Sequence, residues 1–252
     1  MDVIKKTRIY DEAIQIDSDK VHEFWKNRVN RELSYEYNLV NFQDRHPEVA
    51  IERDRIEKNK IMNLIDIKEN DALLDIGCGI GRWYDRLTQV ITTGKYVGID
   101  YTNEFISIAQ DKYVGDKHCV FLNGDFTRVI DDLIKNGEFR KYDKIFINGV
   151  LMYINDKDIL NCIDSLNQLI NKDGIIYIKE SVGIKQRLTL CDFYSDELGD
   201  YYNVIYRTIG QYQKLLLDVI DDVDIYACGP TFSDSIDYQK ETSNWYWILR
   251  KR

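Results

Sequence analysis

The sequence predicts an α/β fold: a doubly wound, mostly parallel sheet of seven strands with an antiparallel pair at one edge, behind an N-terminal helical cover. Three observations predict it. From residue 72 to residue 179, short runs rich in Ile and Val alternate with stretches of helical periodicity, as strands buried on both faces by crossover helices do. The first run ends in a glycine-rich turn. The last two apolar runs, 223–228 and 245–249, are joined by a polar loop too short and irregular for a helical crossover, so they pair antiparallel.

Taken in order, a polar start leads to Asp17 or Ser18, either of which can cap a helix with Val21, Phe24, Trp25, Val29 and Leu33 on one apolar face. This reads as a lid. A Tyr- and Asn-rich connection from Ser34 to His46 reaches Pro47, which suits the first turn of a second helix carrying Ile51, Ile56, Ile61, Met62 and Ile65. Strands are expected at 72–76, 96–100, 119–122, 144–148 and 175–179. Helices are expected from about Arg82, over 103–113, near 129–135 and over 158–170. The chain divides into a cover at 1–60 and an α/β domain at 61–252. That domain carries a tyrosine-rich insertion without clean periodicity at about 182–210, where substrate contacts are placed.

With 34 Lys and Arg against 43 Asp and Glu, the net charge is -9, so no whole-protein basic field draws in a nucleic acid. No apolar run approaches membrane-spanning length and the N-terminus lacks the apolar core of a secretory signal, which points to a cytoplasmic chain with no membrane partner. Five cysteines without C-x-x-C or His pairing read as packed free thiols, with no metal site. A monomer or homodimer acting on a small molecule is expected.

The chemistry concentrates in Leu73-Leu74-Asp75-Ile76-Gly77-Cys78-Gly79-Ile80-Gly81. Glycines at a strand-to-helix turn let a ligand approach bare backbone. Asp100 ends the next strand about twenty positions on, where an acid accepts the ribose hydroxyls of an adenosine ligand. The spacing is G-x-G-x-G rather than the G-x-G-x-x-G of nicotinamide enzymes. Asp75 would repel a pyrophosphate and favour an ammonium group.

Leu74 to Gly81 resembles motif I of the class I S-adenosylmethionine-dependent methyltransferases, and Val97-Gly98-Ile99-Asp100 resembles their second motif. Asn123-Gly124-Asp125-Phe126 is similar to the turn after the third strand, and Tyr142 to Tyr153 to the fourth strand with its exit loop. The similarity covers roughly residues 61–181 and implies a Rossmann-like fold and S-adenosylmethionine as cofactor. It implies that Asp75, Gly77, Gly79, Gly81, Asp100, Tyr101 and Asn148 line the cofactor, that Asp125 bonds the adenine amino group, and that Phe126 packs on the ring. It also implies that a covering helix brings Trp25 and Arg28 over the cofactor, with Arg28 near its carboxylate.

An alcohol acceptor needs a base within hydrogen-bond reach. Glu180, at the end of the fifth core strand, is the first candidate and His22 the second; His46 and His118 read as ordinary loop residues. Tyr153, Arg187, Tyr206 and Arg207 are placed at the acceptor, the arginines suiting a sugar phosphate or nucleotide sugar. Residues 193–198 and 205–208 are similar to bacterial methyltransferases associated with surface carbohydrates. Ile147-Asn148-Gly149-Val150 stands where amino-directed base methylases carry Asn-Pro-Pro-aromatic, which disfavours a nucleic-acid substrate. A protein methyltransferase or a non-catalytic cofactor-binding subunit remain the alternatives, and the loop spacing disfavours a nicotinamide oxidoreductase.

Overall fold

The computed structural model describes residues 7–33, 35–233, 236 and 240–252; Ser34, at the start of the Tyr- and Asn-rich connection, lies outside them. A short strand, β1 (Arg8–Tyr10), precedes the first helix, α1 (Ser18–Arg28). Of the two capping candidates it is Asp17 that accepts the amides of Asp19 and Lys20. The helix stops at Arg28, short of Leu33, and buries Val21, Phe24 and Trp25. One turn, α2 (Asn38–Asn41), interrupts the connection.

Helix α3 (Pro47–Leu64) starts at the proline as expected and runs unbroken through residue 60. Its inward face differs from the expected one. Ile51 is 47% exposed, whereas Asp54, Glu57 and Lys58 are buried beside Ala50 and Ile61. Charged side chains are buried only when paired, so this face is held by ion pairs rather than by an apolar stripe.

The core strands follow as β2 (Ala72–Ile76), β3 (Lys95–Asp100), β4 (Cys119–Asn123), β5 (Tyr142–Asn148) and β6 (Ile170–Gly183). Between them lie α4 (Arg82–Leu87), α5 (Asn103–Lys112), α6 (Val129–Lys135) and α7 (Asp156–Leu169). The insertion forms a hairpin of β7 (Leu188–Ser195) and β8 (Asp200–Tyr206), then a further helix α8 (Ile209–Val219) closed by a Thr208/Gln211 capping box. Strands β9 (Val223–Pro230) and β10 (Thr242–Lys251) end the chain.

The seven-stranded sheet has the order β4-β3-β2-β5-β6-β10-β9. The first five strands are parallel, and β10 runs antiparallel to both β6 and β9. Chain direction across the sheet reverses between β2 and β5, which opens a crevice at their C-terminal ends. One apolar cluster, with Leu74, Ile76, Ile147, Leu166 and Trp247, fills one face; a second, with Leu73, Trp83, Tyr96, Phe146 and Tyr177, fills the other.

The insertion and the N-terminus meet in a second sheet of order β1-β7-β8. A third cluster joins Phe24 and Trp25 of α1 to Leu190, Tyr202 and Val204 of the hairpin, and reaches Ile80, Phe105 and Met152 on the crevice rim. The cover is therefore built from two distant chain segments. Among the described residues, no helix is long and apolar enough to cross a membrane.

Candidate active site

The crevice holds a cavity of about 400 Å³ between the glycine loop, the ends of β2, β3 and β5, and α1. That volume is in the range of small-molecule sites. Two glycines are required by geometry. A Cβ on Gly77, at φ +74°, would lie 2.2 Å from Val150 Cγ2, and one on Gly79, at φ +56°, would lie 2.7 Å from Val40 Cγ1. Gly81 stands behind the wall as the residue preceding α4.

Asp100 fastens this loop. Its Oδ2 accepts the Gly79 amide at 2.9 Å and its Oδ1 the Thr102 amide at 2.8 Å. Burial pushes its carboxyl above the usual range against these two bonds. Asp75, beneath the loop, accepts the Tyr96 hydroxyl at 2.6 Å, and burial pushes it up to about 7. Asp125 Oδ1 accepts the Thr127 amide and hydroxyl, capping the turn Phe126–Arg128, and Phe126 is buried against the cavity.

From the cover, Trp25 and His22 complete the wall, with the His22 ring stacked on Tyr101 at 4.1 Å. Tyr153 stands edge-on to Trp25 at 5.4 Å and bonds to the Tyr202 hydroxyl. Both amide atoms of Asn148, the Tyr101 hydroxyl and the Trp83 indole nitrogen are buried at this cavity without a hydrogen-bond partner. Buried polar atoms are normally satisfied, so these mark a place where a polar ligand fits. The structure thus brings His22, Trp25, Asp75, Gly77, Gly79, Asp100, Tyr101, Asp125, Phe126, Asn148 and Tyr153 to one cavity.

Besides Gly81, five expected residues stand elsewhere. Arg28 is fully buried, its guanidinium taken by Asp44 and by the carbonyls of Asn38 and Leu39, so it pins the connection rather than facing a cofactor. Arg207 donates to Asp156 and to the carbonyls of Leu151 and Ile154. Arg187 pairs with the same Asp156 at 2.8 Å. Tyr206 is half-buried behind Tyr202. None of the four lines the cavity.

Glu180 is the fifth. It is fully buried and accepts the amides of Val150, Leu151 and Met152 at 3.0, 2.8 and 3.2 Å. Burial pushes it up to about 7 against these three bonds. Side chains alternate along a strand, so Lys179 and Ser181 face the cavity while Glu180 faces away, under the exit loop of β5. It holds that loop and does not line the cavity where a base was expected.

The sequence reading missed Arg53, Glu57, Arg82 and Lys179, which also line the cavity. Glu57 accepts Arg82 at 3.2 Å, the Tyr177 hydroxyl at 3.0 Å and Lys179 at 3.1 Å; Asp54 accepts Arg82 at 2.7 Å and Lys58 at 2.8 Å. The signal available was Asp54, Glu57 and Lys58 on one face of a helix that is otherwise read from its isoleucines.

Burial pushes the Glu57 carboxyl up, but Arg82 and Lys179 pull harder and hold it down to about 2, below its ordinary 4.5. A depressed carboxyl contributes stability above its unfolded pKa and loses it as pH falls through the folded one. The stability advantage of wild type over Glu57→Gln is therefore expected to shrink by about 3 kcal/mol between pH 4.5 and pH 2. Urea titrations of both proteins across that window check it; a constant gap would contradict the pairing.

A cradle of bare backbone opening onto three acids, set at the reversal point of this sheet, is the arrangement of the class I S-adenosylmethionine-dependent methyltransferases. Residues 67–251 match the family described as Methyltransferase domain. The chain belongs to that family.

Among curated relatives, phosphoethanolamine N-methyltransferase of Triticum aestivum is 25% identical over 158 residues, covering 63% of this chain and 29% of that protein. Among solved structures, Haemonchus contortus phosphoethanolamine N-methyltransferase 1, in complex with phosphoethanolamine and S-adenosylhomocysteine, superimposes with a TM-score of 0.68 at 17% identity over 92% of this chain and 48% of that one. Magnesium protoporphyrin IX methyltransferase from Synechocystis, with bound S-adenosylmethionine, gives 0.61 at 14% identity over 96% and 100%. These superpositions show the fold. The chain spans 25 to 29% of the length of the first curated relatives it matches.

Proposed function

We propose that the chain transfers a methyl group from S-adenosylmethionine to a hydroxyl or amine of a small polar acceptor. The observation that carries this reading is the joining, in one cavity, of the glycine cradle with Asp75, Asp100 and Asp125 and with the unspent hydrogen-bonding groups of Asn148 and Tyr101. Asp100 would accept the ribose hydroxyls, Asp125 the adenine amino group, and the cradle with Asn148 the methionine portion; Phe126 would pack on the adenine. The bound cofactor supplies an electrophilic methyl on a sulfonium.

The chain's own part is alignment and dryness. Trp25, Phe42 and Met152 wall the cavity with apolar surface, and holding an acceptor in line in a water-poor site accounts for much of the acceleration of such a displacement. With Glu180 turned away, His22, on the cavity wall with a ring nitrogen that can accept a proton, would act as the base toward the acceptor. Tyr153 would orient the acceptor, its ring fixed by Trp25 and its hydroxyl by Tyr202. In this reading residues 1–60 and the insertion at 182–210 act together as the cover over the acceptor.

Calorimetry should show binding of S-adenosylhomocysteine and no response to NAD. Methyl-labelled cofactor, incubated with sugar phosphates, nucleotide sugars, amines and peptides, should then label a small acceptor. Binding of NAD alone would refute the donor assignment, labelled peptide alone would move the substrate to proteins, and no label anywhere would favour a cofactor-binding subunit.

A further inference from the structure

Beneath the cover, four aromatic side chains from four separate chain segments close into a circuit. Trp25 comes from α1, Phe42 from the residue after α2, Tyr153 from the exit loop of β5, and Tyr202 from the insertion hairpin. Phe42 is stacked on Trp25 at 5.3 Å and 17°, Tyr153 stands edge-on to Trp25 at 5.4 Å, and Tyr202 stands edge-on to Phe42 at 5.6 Å. The bond between the Tyr153 and Tyr202 hydroxyls completes it. Trp25, Phe42 and Tyr153 line the cavity together with Met152, and Tyr202 is buried behind them.

The arrangement is held against backbone strain. Phe42 sits at φ +58° and ψ -148°, a region that glycine favours and that crowds any other side chain. Asn38 Nδ2 donates to the Phe42 and Gln43 carbonyls at 2.7 and 2.9 Å, and the Arg28 guanidinium stands 4.9 Å from the centre of the Phe42 ring. Backbone of this kind persists where its surroundings over-determine it, and it gathers at ligand sites.

Polar groups are sparse on this side. From α1, the connection and the exit loop, the cavity meets the polar side chains of Ser18, His22, Asn41, Tyr153 and Asn155. Asn155 is spent on the backbone of Ile16 and on the Ser18 hydroxyl. A sugar carries a hydroxyl on most of its carbons and needs a matching set of partners, which the remaining groups do not make. The arginines first assigned to an anionic acceptor, Arg187 and Arg207, are consumed by Asp156 away from the cavity. Aromatic walls with a few hydrogen-bonding groups suit a planar ring that bears a hydroxyl, since rings pack on one another stacked or edge to face.

We propose that the methyl acceptor is a phenol, its aromatic ring seated against Trp25, Phe42 and Tyr153 and its hydroxyl turned to His22 and the methyl donor. The inference rests on the methyl-transfer reading above and narrows its acceptor. The phenolic O–H bond breaks and its proton passes to a ring nitrogen of His22. The oxygen forms its bond to the methyl carbon as the C–S bond breaks, with that electron pair going to sulfur. His22 is exposed and returns the proton to water. A phenol, with a pKa of about 10, yields its proton to such a base far more readily than an aliphatic alcohol does.

The test pairs each aromatic probe with its saturated counterpart: catechol with cyclohexane-1,2-diol, and 2-naphthol with decahydro-2-naphthol. Each is titrated calorimetrically into S-adenosylhomocysteine-loaded protein and incubated separately with methyl-labelled cofactor, for wild type, Trp25→Leu and Tyr202→Phe. The phenols should bind about tenfold more tightly than their saturated partners and should alone take label. Trp25→Leu should erase that preference, with S-adenosylhomocysteine within about threefold of wild type. Tyr202→Phe removes one hydroxyl and keeps the ring, so phenol affinity should stay within about twofold while kcat for 2-naphthol falls about fivefold as Tyr153 loses its anchor. Equal affinity for ring and saturated partner, label in a saturated alcohol, or no label in either phenol would each overturn the proposal. An unchanged preference in Trp25→Leu would overturn it as well. If that variant lost S-adenosylhomocysteine too, its fold would be disturbed, and the wild-type preference with the Tyr202→Phe split would decide. Failure of wild type to bind S-adenosylhomocysteine would sink the methyltransferase reading, and the paired probes titrated into free protein would still decide the ring subsite.

Discussion

Asp100→Ala is expected to lower the affinity for S-adenosylhomocysteine about a hundredfold. The carboxylate has two duties: it anchors the Gly79 and Thr102 amides, and in the proposed complex it accepts the ribose hydroxyls. Hydrogen bonds to a charged group contribute about 1.5–3 kcal/mol each, and 1.4 kcal/mol is a factor of ten, so losing the ribose contacts alone predicts about two decades. Asp100→Asn keeps one accepting oxygen and should lose about tenfold. Calorimetric titration of both variants checks the series. Equal affinities for wild type and Asp100→Ala would mean that the ribose lies elsewhere.

Removing Glu180 is expected to cost stability and turnover together. Glu180→Ala would strand the amides of Val150, Leu151 and Met152 in a fully buried site. At about 1–3 kcal/mol for each unsatisfied buried group, a loss of about 3–5 kcal/mol follows. The loop these amides belong to carries Tyr153 and is held from its carbonyl side by Arg207, so the cavity wall should loosen as well. Were Glu180 a general base, Glu180→Gln would abolish turnover and leave the melting temperature untouched; a positioning residue moves both. The sign of the pH effect is also set. With its folded pKa pushed up from 4.5 to about 7, ionisation of Glu180 opposes folding, so wild-type stability relative to Glu180→Gln should fall as pH rises through that interval. Thermal melts and kcat at several pH values settle both points.

Much of the fold was legible because its signals are local. The Ile- and Val-rich strands, the glycine turn and Pro47 at the start of α3 each declare themselves within a few residues. The cofactor end of the cavity was legible for the same reason. Gly77, Gly79 and Asp100 lie at ends of adjacent parallel strands, and a parallel βαβ unit brings such ends together whatever covers them.

The other side of the cavity was not legible. Lys179, Glu180 and Ser181 are three consecutive polar residues on a strand covered on both faces, and no alternation in them says which points to the crevice. Arg187 and Arg207 look alike in sequence to a ligand-binding arginine; only the position of Asp156 makes them structural. The strand at Arg8–Tyr10 has no local signal strong enough to predict, because its partner is β7, far along the chain.

What the sequence by itself determined is the sheet and the glycine cradle at its crevice, since both follow from short-range periodicity and from backbone that only glycine allows. What the tertiary structure alone decided is which polar side chains remain available to a second ligand. That choice is made by long-range pairing: Asp44 consumes Arg28, Asp156 consumes Arg187 and Arg207, and three amides consume Glu180. Burial makes these pairings obligatory, because an unpaired charge in the interior costs more than the fold can absorb.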